Sequence, residues 1–200
     1  MPRSVPYRST LIAFAVLAAG FAPALAEGQV VSGQAQVVKA SIVEPTGTAT
    51  TVLADTGTLT DSSDARETSQ DAGVIPALLR GGTLHATTMG WPDQVASEAS
   101  IADLALNVGG IAIGADFVMS RVRAVPGEAG KGSTDVEGLT INGVSVEVSG
   151  ALNQTIAVPG GRVVINEQQT TSSGTVVNAL HLVVTGVADV IVASASAGIR

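Results

Sequence analysis

The feature that most constrains this chain is a side-chain alternation of period two running through most of its length. The segments "QVVSGQAQVVKASIV" (29–43), "TATTVLADTGTLT" (48–60), "GTLHATTMG" (82–90), "RVVINEQ" (162–168) and the last 25 residues are rich in Val, Ile and Thr. Gly, Pro, Asn or Ser interrupts them. Successive side chains of an extended strand point to opposite faces, so each segment has one apolar and one wettable face, and the apolar faces must be pressed together to leave water. We therefore expect an all-β, antiparallel, β-sandwich-like chain, with a short β-helix or a partly open barrel as the alternative. Helical spacing is nearly absent. The exception is "DSSDARETSQDAGVIPALLRGG" (61–82), which could start a short helix at a Ser or Asp cap before Pro76 but reads mostly as a loop.

The strongest local signal is "LTINGVSVEV" (139–148). Asn142-Gly143 suits the positive φ values of a two-residue type I′ turn. Ile141 then pairs with Val144, Leu139 with Val146, and Thr140 shares the other face with Ser145. A second signal is internal similarity. "IADLALNVGGI" (101–111) aligns on "VNALHLVVTGV" (177–187), and "ADFVMSRVRA" (115–124) aligns on "ADVIVASASA" (188–197), with Ala112, Ile113 and Gly114 left over in the first copy. Two copies are too few for a solenoid and suit two similar hairpins in one sheet or sandwich. On this alignment Ile191, Ala193, Ala195, Ala197 and Ile199 share one face, as Val118, Ser120, Val122 and Ala124 do. Arg121 and Arg123 fall on the solvent face.

Residues 1–26 read as a leader: Arg3 and Arg8 precede an apolar run at 11–22, and Ala24-Leu25-Ala26 has the small-x-small form of a cleavage site. The run is shorter than the ~20 residues a spanning helix needs, so no membrane anchor is expected once it is cut. The mature chain, 27–200, fits one domain. Cleavage removes Arg3 and Arg8 from ten basic residues, leaving eight against 17 acidic ones. That balance disfavours a nucleic-acid partner, which demands clustered Lys and Arg. With no cysteine, thiolate metal sites and a Cys nucleophile are excluded. Trp91 and Phe117 are the aromatic residues left after cleavage.

Candidate sites are few. His181 lies in "VNALHLVV" (177–184), where its aligned counterpart is Ala105, so packing is the first expectation. It would serve as ligand or base only if acidic or hydroxyl partners converge on it. His85, on another segment, could meet it in space. Asp61, Asp64, Glu67 and Asp71 lack the order of a calcium loop and read as a solvated acidic loop. "GGIAIGAD" (109–116) lacks the G-x-G-x-x-G pattern and the following helix of a nucleotide site. No G-x-S-x-G elbow occurs, and Asn153-Gln154-Thr155 reads as a coincidental glycosylation sequon. No catalytic residues, metal ligands or cofactor are therefore assigned.

The succession "GSTDVEGLTINGVSVEV", "NQTIAVPGGRVVINEQ", "VNALHLVV" and "ADVIVASASAGI", with "GTLHATT" ahead of it, resembles the choice-of-anchor P family of bacterial exported proteins over about 81–199. The resemblance implies a β-rich surface or secreted protein with no catalytic residues to carry over. The family's sorting signals have no counterpart after the last strand, where Arg200 ends the sequence, so secretion or periplasmic retention is expected over anchoring. The functional expectation is a non-enzymatic structural, adhesive or interaction module, with self-association through unpaired strand edges possible. The alternative is a small-ligand or carbohydrate binder using Trp91 beside a polar loop carrying Asn166 and Gln168.

Overall fold

The computed structural model describes residues 30–200, and the leader expected at 1–26 lies outside them. Fifteen strands form, all paired antiparallel, with no helix among the described residues. They are β1 (Val31–Glu44), β2 (Gly47–Asp55), β3 (Ala65–Gln70), β4 (Gly73–Ile75), β5 (Leu79–Gly81), β6 (Leu84–Trp91), β7 (Gln94–Val108) and β8 (Ile111–Ala124). After them come β9 (Lys131–Glu137), β10 (Thr140–Ile141), β11 (Val144–Ser145), β12 (Gln154–Val158), β13 (Gly161–Thr171), β14 (Gly174–Val184) and β15 (Ala188–Ile199). One sheet runs β12-β13-β14-β15-β1-β2. The other is built on β7 and β8, flanked on one side by β6 and β5 and on the other by β9 and β10. Neither sheet closes on itself. The sandwich expectation holds, and the β-helix and barrel alternatives fall away.

The two similar segments are indeed hairpins, one in each sheet, and they face each other: β15 packs on β7 and β8, and β14 on β8. Their second strands, however, are not equivalent in the way residue similarity suggests. Ala115 lies four positions into β8, whereas Ala188 is the first residue of β15. The Ala-Asp likeness aligned them four residues out of step, so that buried Val118 is matched with outward-facing Ile191. Ala112, Ile113 and Gly114 are not an insertion but ladder residues, paired with Asn107, Leu106 and Ala105.

Both sheets are crossed by a transverse row at which buried and exposed faces exchange. In the six-stranded sheet it passes through Ala54, Val37, Ala193, Ala179 and Asn166, each skipped in the pairing register. Ala54, Ala193 and Asn166 take φ values of 48°, 52° and 54°. In the other sheet the row passes through Asp103 (φ 50°) and Asp116, with Gly138 (φ 63°) alongside. A left-handed residue inside a strand acts as a bulge and resets the alternation. Val192 and Ala193 are therefore both buried although adjacent. Ile191 points outward instead of sharing a face with Ala193.

The segment 61–82 is also corrected. It contains neither helix nor one long loop: Ala65–Gln70, Gly73–Ile75 and Leu79–Gly81 pair as strands. Pro76 and Ala77 (φ 62°) sit at the centre of a turn closed by Leu78 N–H to Ile75 C=O. The Asn142-Gly143 turn forms as expected, with Ile141 opposite Val144 and Thr140 opposite Ser145. Ile141 is buried, but Val144 is 68% exposed because β11 lies at the sheet's edge, beyond the facing layer.

The interior divides into a large apolar cluster, including Val37, Leu84, Ile101, Leu106, Ile165 and Leu182, and a smaller one around Val31, Val95, Val122, Val177 and Ala195. Buried Thr88 and Ser97 bond one another at 2.7 Å, and Ser97 Oγ donates across the sandwich to the Ser196 carbonyl at 2.7 Å.

Candidate functional site

The two histidines lie on outward faces of different sheets, His85 on β6 and His181 on β14, and do not meet. Carboxylates do converge on His181, from both sides: Nδ1 lies 2.8 Å from Glu167 Oε2 and Nε2 3.1 Å from Asp189 Oδ1. The side chain is only 14% exposed. Asn178 Nδ2 donates to the same Glu167 oxygen at 2.7 Å. Each ring nitrogen thus faces a carboxylate on a neighbouring strand. The imidazole ties β13, β14 and β15 together.

The expected polar loop at 166–174 is mostly strand, because β13 extends to Thr171. Asn166 is buried. Its Nδ2 donates to the carbonyls of Gly150 and Ala151, and its Oδ1 accepts from Gln168 Nε2 at 2.8 Å. Gln168 Nε2 also donates to the Gly132 carbonyl, so it braces β9 from inside the sandwich. These amides are occupied by the fold, and neither lines a cavity with Trp91.

The acidic run does not converge either. Hydrogen bonds from the Ser63 hydroxyl and backbone N–H hold the Asp61 carboxyl below its ordinary value. Asp64 is held low by the Thr60 backbone N–H, then by Arg66 Nε and the Thr60 hydroxyl. Glu67 instead faces His85 at 3.7 Å. Among the described residues no group of three or more His, Asp or Glu side chains is placed to hold a metal ion.

The outer face of the nine-stranded sheet presents a different surface. Across β6, β7, β8 and β9 the register places Met89, Ala96, Arg123 and Lys131 in one row. The next row holds Thr87, Glu98, Arg121 and Ser133. Alternation turns all of these away from the core, and Ala96, the short side chain between Met89 and Arg123, leaves a gap. The result is a groove of about 430 Å³ with Met89 and Trp91 along one wall and Arg121, Arg123 and Lys131 along the other. Trp91, the last residue of β6, is 37% exposed and Met89 39%. Arg121 lies 3.6 Å from Glu98, and the Lys131 ammonium 3.3 Å from Glu128, while Arg123 forms no ion pair among the described residues. Trp91, the sole tryptophan, stands out in the sequence. Its cationic neighbours do not, because they meet it only through the register from β6 to β9.

No family model, no curated protein and no solved structure matches this chain.

Proposed function

We propose that the chain is an exported, non-enzymatic bacterial β-sandwich, similar to choice-of-anchor P proteins, that acts as an adhesive or interaction module at or beyond the cell surface. It docks through the outer face of the nine-stranded sheet. The observation carrying this reading is the Met89–Ala96–Arg123–Lys131 row, which leaves an apolar, aromatic-walled groove open beside Arg123, a cation with no ion pair among the described residues, in a protein whose net charge is −7. Exposed apolar surface bordered by charge is characteristic of interaction sites. The leader-like residues 1–26 support export. The non-enzymatic part is supported by His181, whose ring nitrogens are both engaged. Neither histidine hydrogen-bonds a hydroxyl that it could activate, among the described residues.

The test combines fractionation of the native host with binding of purified protein to its cell envelopes. Cut protein outside the cytoplasm, and envelope binding lost in a folded Trp91→Ala variant, are the expected results. Uncut protein in the cytosol, or envelope binding indifferent to Trp91→Ala, overturns the reading.

A further inference from the structure

We propose that the Trp91 groove binds an acidic polysaccharide, with a sugar ring against the indole and its acidic group held between Arg123 and Lys131. The inference rests on the docking face proposed above and adds the class of ligand.

The first argument is electrostatic. Arg123 and Lys131 are directly opposite each other on neighbouring strands. Residues so paired have Cβ atoms about 5 Å apart, and like charges in that relation destabilise a sheet. The fold relieves only one member of this pair: Glu128 is 3.3 Å from Lys131 on an exposed surface, whereas Arg123 has no acidic partner among the described residues. An anion between the two heads would neutralise both, with the guanidinium fork offering two parallel hydrogen bonds to one acidic group.

The second argument comes from shape. Arg123 and Lys131 line the groove on the Trp91 side and also a second hollow of about 240 Å³, shared with Val125, Glu128 and Ala129. The cation pair therefore forms a ridge between two depressions. A ligand that fills both while placing acid on the ridge is extended, with repeating units.

The third argument separates a glycan from an acidic peptide. The strands beneath the groove, β7 and β8, are paired on both edges, so their backbone groups are already used in the ladders. An extended peptide laid over β7 and β8 would find no main-chain partners there and would leave its own amides unsatisfied; the one strand of the groove paired on a single side is β9, at its margin. A sugar ring carries an apolar C–H face that suits the indole, and hydroxyl groups that remain wet at an open groove.

Trp91 is the sole tryptophan, so its fluorescence reads the groove directly. Purified protein is titrated with oligogalacturonate, a sulfated glycan, neutral oligosaccharides of matched length and poly-glutamate, each repeated at raised salt. A Trp91 emission shift with an acidic glycan, weakened by salt and reduced about tenfold in Arg123→Gln or Lys131→Gln, supports the proposal. The His181→Ala variant, altered on the opposite face, should titrate as the wild type does. The relative response to galacturonate and sulfated glycan tells carboxylate from sulfate. Equal binding of neutral sugars with Arg123→Gln unaffected overturns the acidic class and leaves the docking face intact. Stronger binding of poly-glutamate than of either acidic glycan overturns the glycan assignment. Silence toward all four overturns the inference, while the envelope assay judges the docking face on its own.

Discussion

Asp103 on β7 stands directly across the ladder from Asp116 on β8, at the point where both strands exchange their buried face. The same point separates the partners of this hairpin. β6 pairs with β7 as far as Ile101 and β5 takes over at Ala105, while β9 pairs with β8 as far as Phe117 and β10 takes over at Gly114. The crease is thus where one layer is assembled from two half-width sets of strands around a continuous hairpin.

Asp103 bears a cost there, a left-handed φ of 50°. Left-handed backbone costs a non-glycine residue about 1–2 kcal/mol, and Asp103 makes no compensating side-chain hydrogen bond among the described residues. Asp103→Gly should therefore stabilise the protein by about 1 kcal/mol, and Asp103→Val destabilise it by a similar amount. Urea unfolding of the two variants checks this. A glycine variant weaker than wild type would show that the crease is not strained at this residue.

Close approach of the sheets sets a second expectation. Gly33 on β1 lies where a Cβ would stand 2.6 Å from Thr88 Oγ1, 2.8 Å from Leu59 Cδ1 and 2.9 Å from Val95 Cγ1. These are side chains of the smaller apolar cluster and the polar layer beside it, and none has open space to retreat into. Gly33→Ala should cost about 1–3 kcal/mol by overpacking. Ser97→Ala should cost about 1–2 kcal/mol by removing the donor to the Ser196 carbonyl and the acceptor of the Thr88 hydroxyl. Melting of the double variant, compared with the sum of the singles, tests whether the sites act as one layer.

Acid sensitivity should trace in part to the turn at 60–66. Asp61 and Asp64 both have carboxyls held below the ordinary value of 3.8, so folding favours their ionised forms. Their contribution is fully present above the unfolded-state value and is lost as pH falls through the lowered folded value. Asp64→Asn should accordingly lower the urea midpoint relative to wild type at neutral pH. The gap should narrow once the pH drops below about 4. A gap independent of pH would mean that the Thr60 and Arg66 contacts do not depend on the charge.

The sandwich was legible wherever alternation and turn chemistry agreed, as at Asn142-Gly143, and illegible where the fold departs from strict period two. The crease escaped notice because its left-handed positions hold Ala54, Ala193, Asp103 and Asn166 instead of glycine, so nothing marks them as turns. Strict period two puts Ile191 on the wrong face for that reason alone. Segment 61–82 looked like loop because β3, an edge strand, is polar on both faces, and because Pro76 lies in a turn where a helix terminus was expected. At the groove, rarity drew attention to Trp91, and alternation turned Arg121 and Arg123 toward solvent. Joining them required the pairing of Ala96 with Arg123 and of Arg123 with Lys131, relations between segments that no local pattern encodes.

The carboxylates around His181 were hidden in the same way, since Glu167 and Asp189 reach the ring diagonally from strands on either side. Their contributions should differ. Glu167 is the closer, at 2.8 Å against 3.1 Å, and its side chain is 31% exposed against 55% for Asp189, so water screens it less. His181→Ala removes both contacts and leaves two carboxylates without the group between them, for an expected loss of about 1–2 kcal/mol in urea unfolding. Double-mutant cycles apportion that loss. His181→Ala with Glu167→Gln should give a coupling of about 1 kcal/mol, and His181→Ala with Asp189→Asn only a few tenths, roughly what an exposed pair yields. Should Asp189 couple as strongly as Glu167, the ring would be held symmetrically and burial would not be what ranks the two contacts.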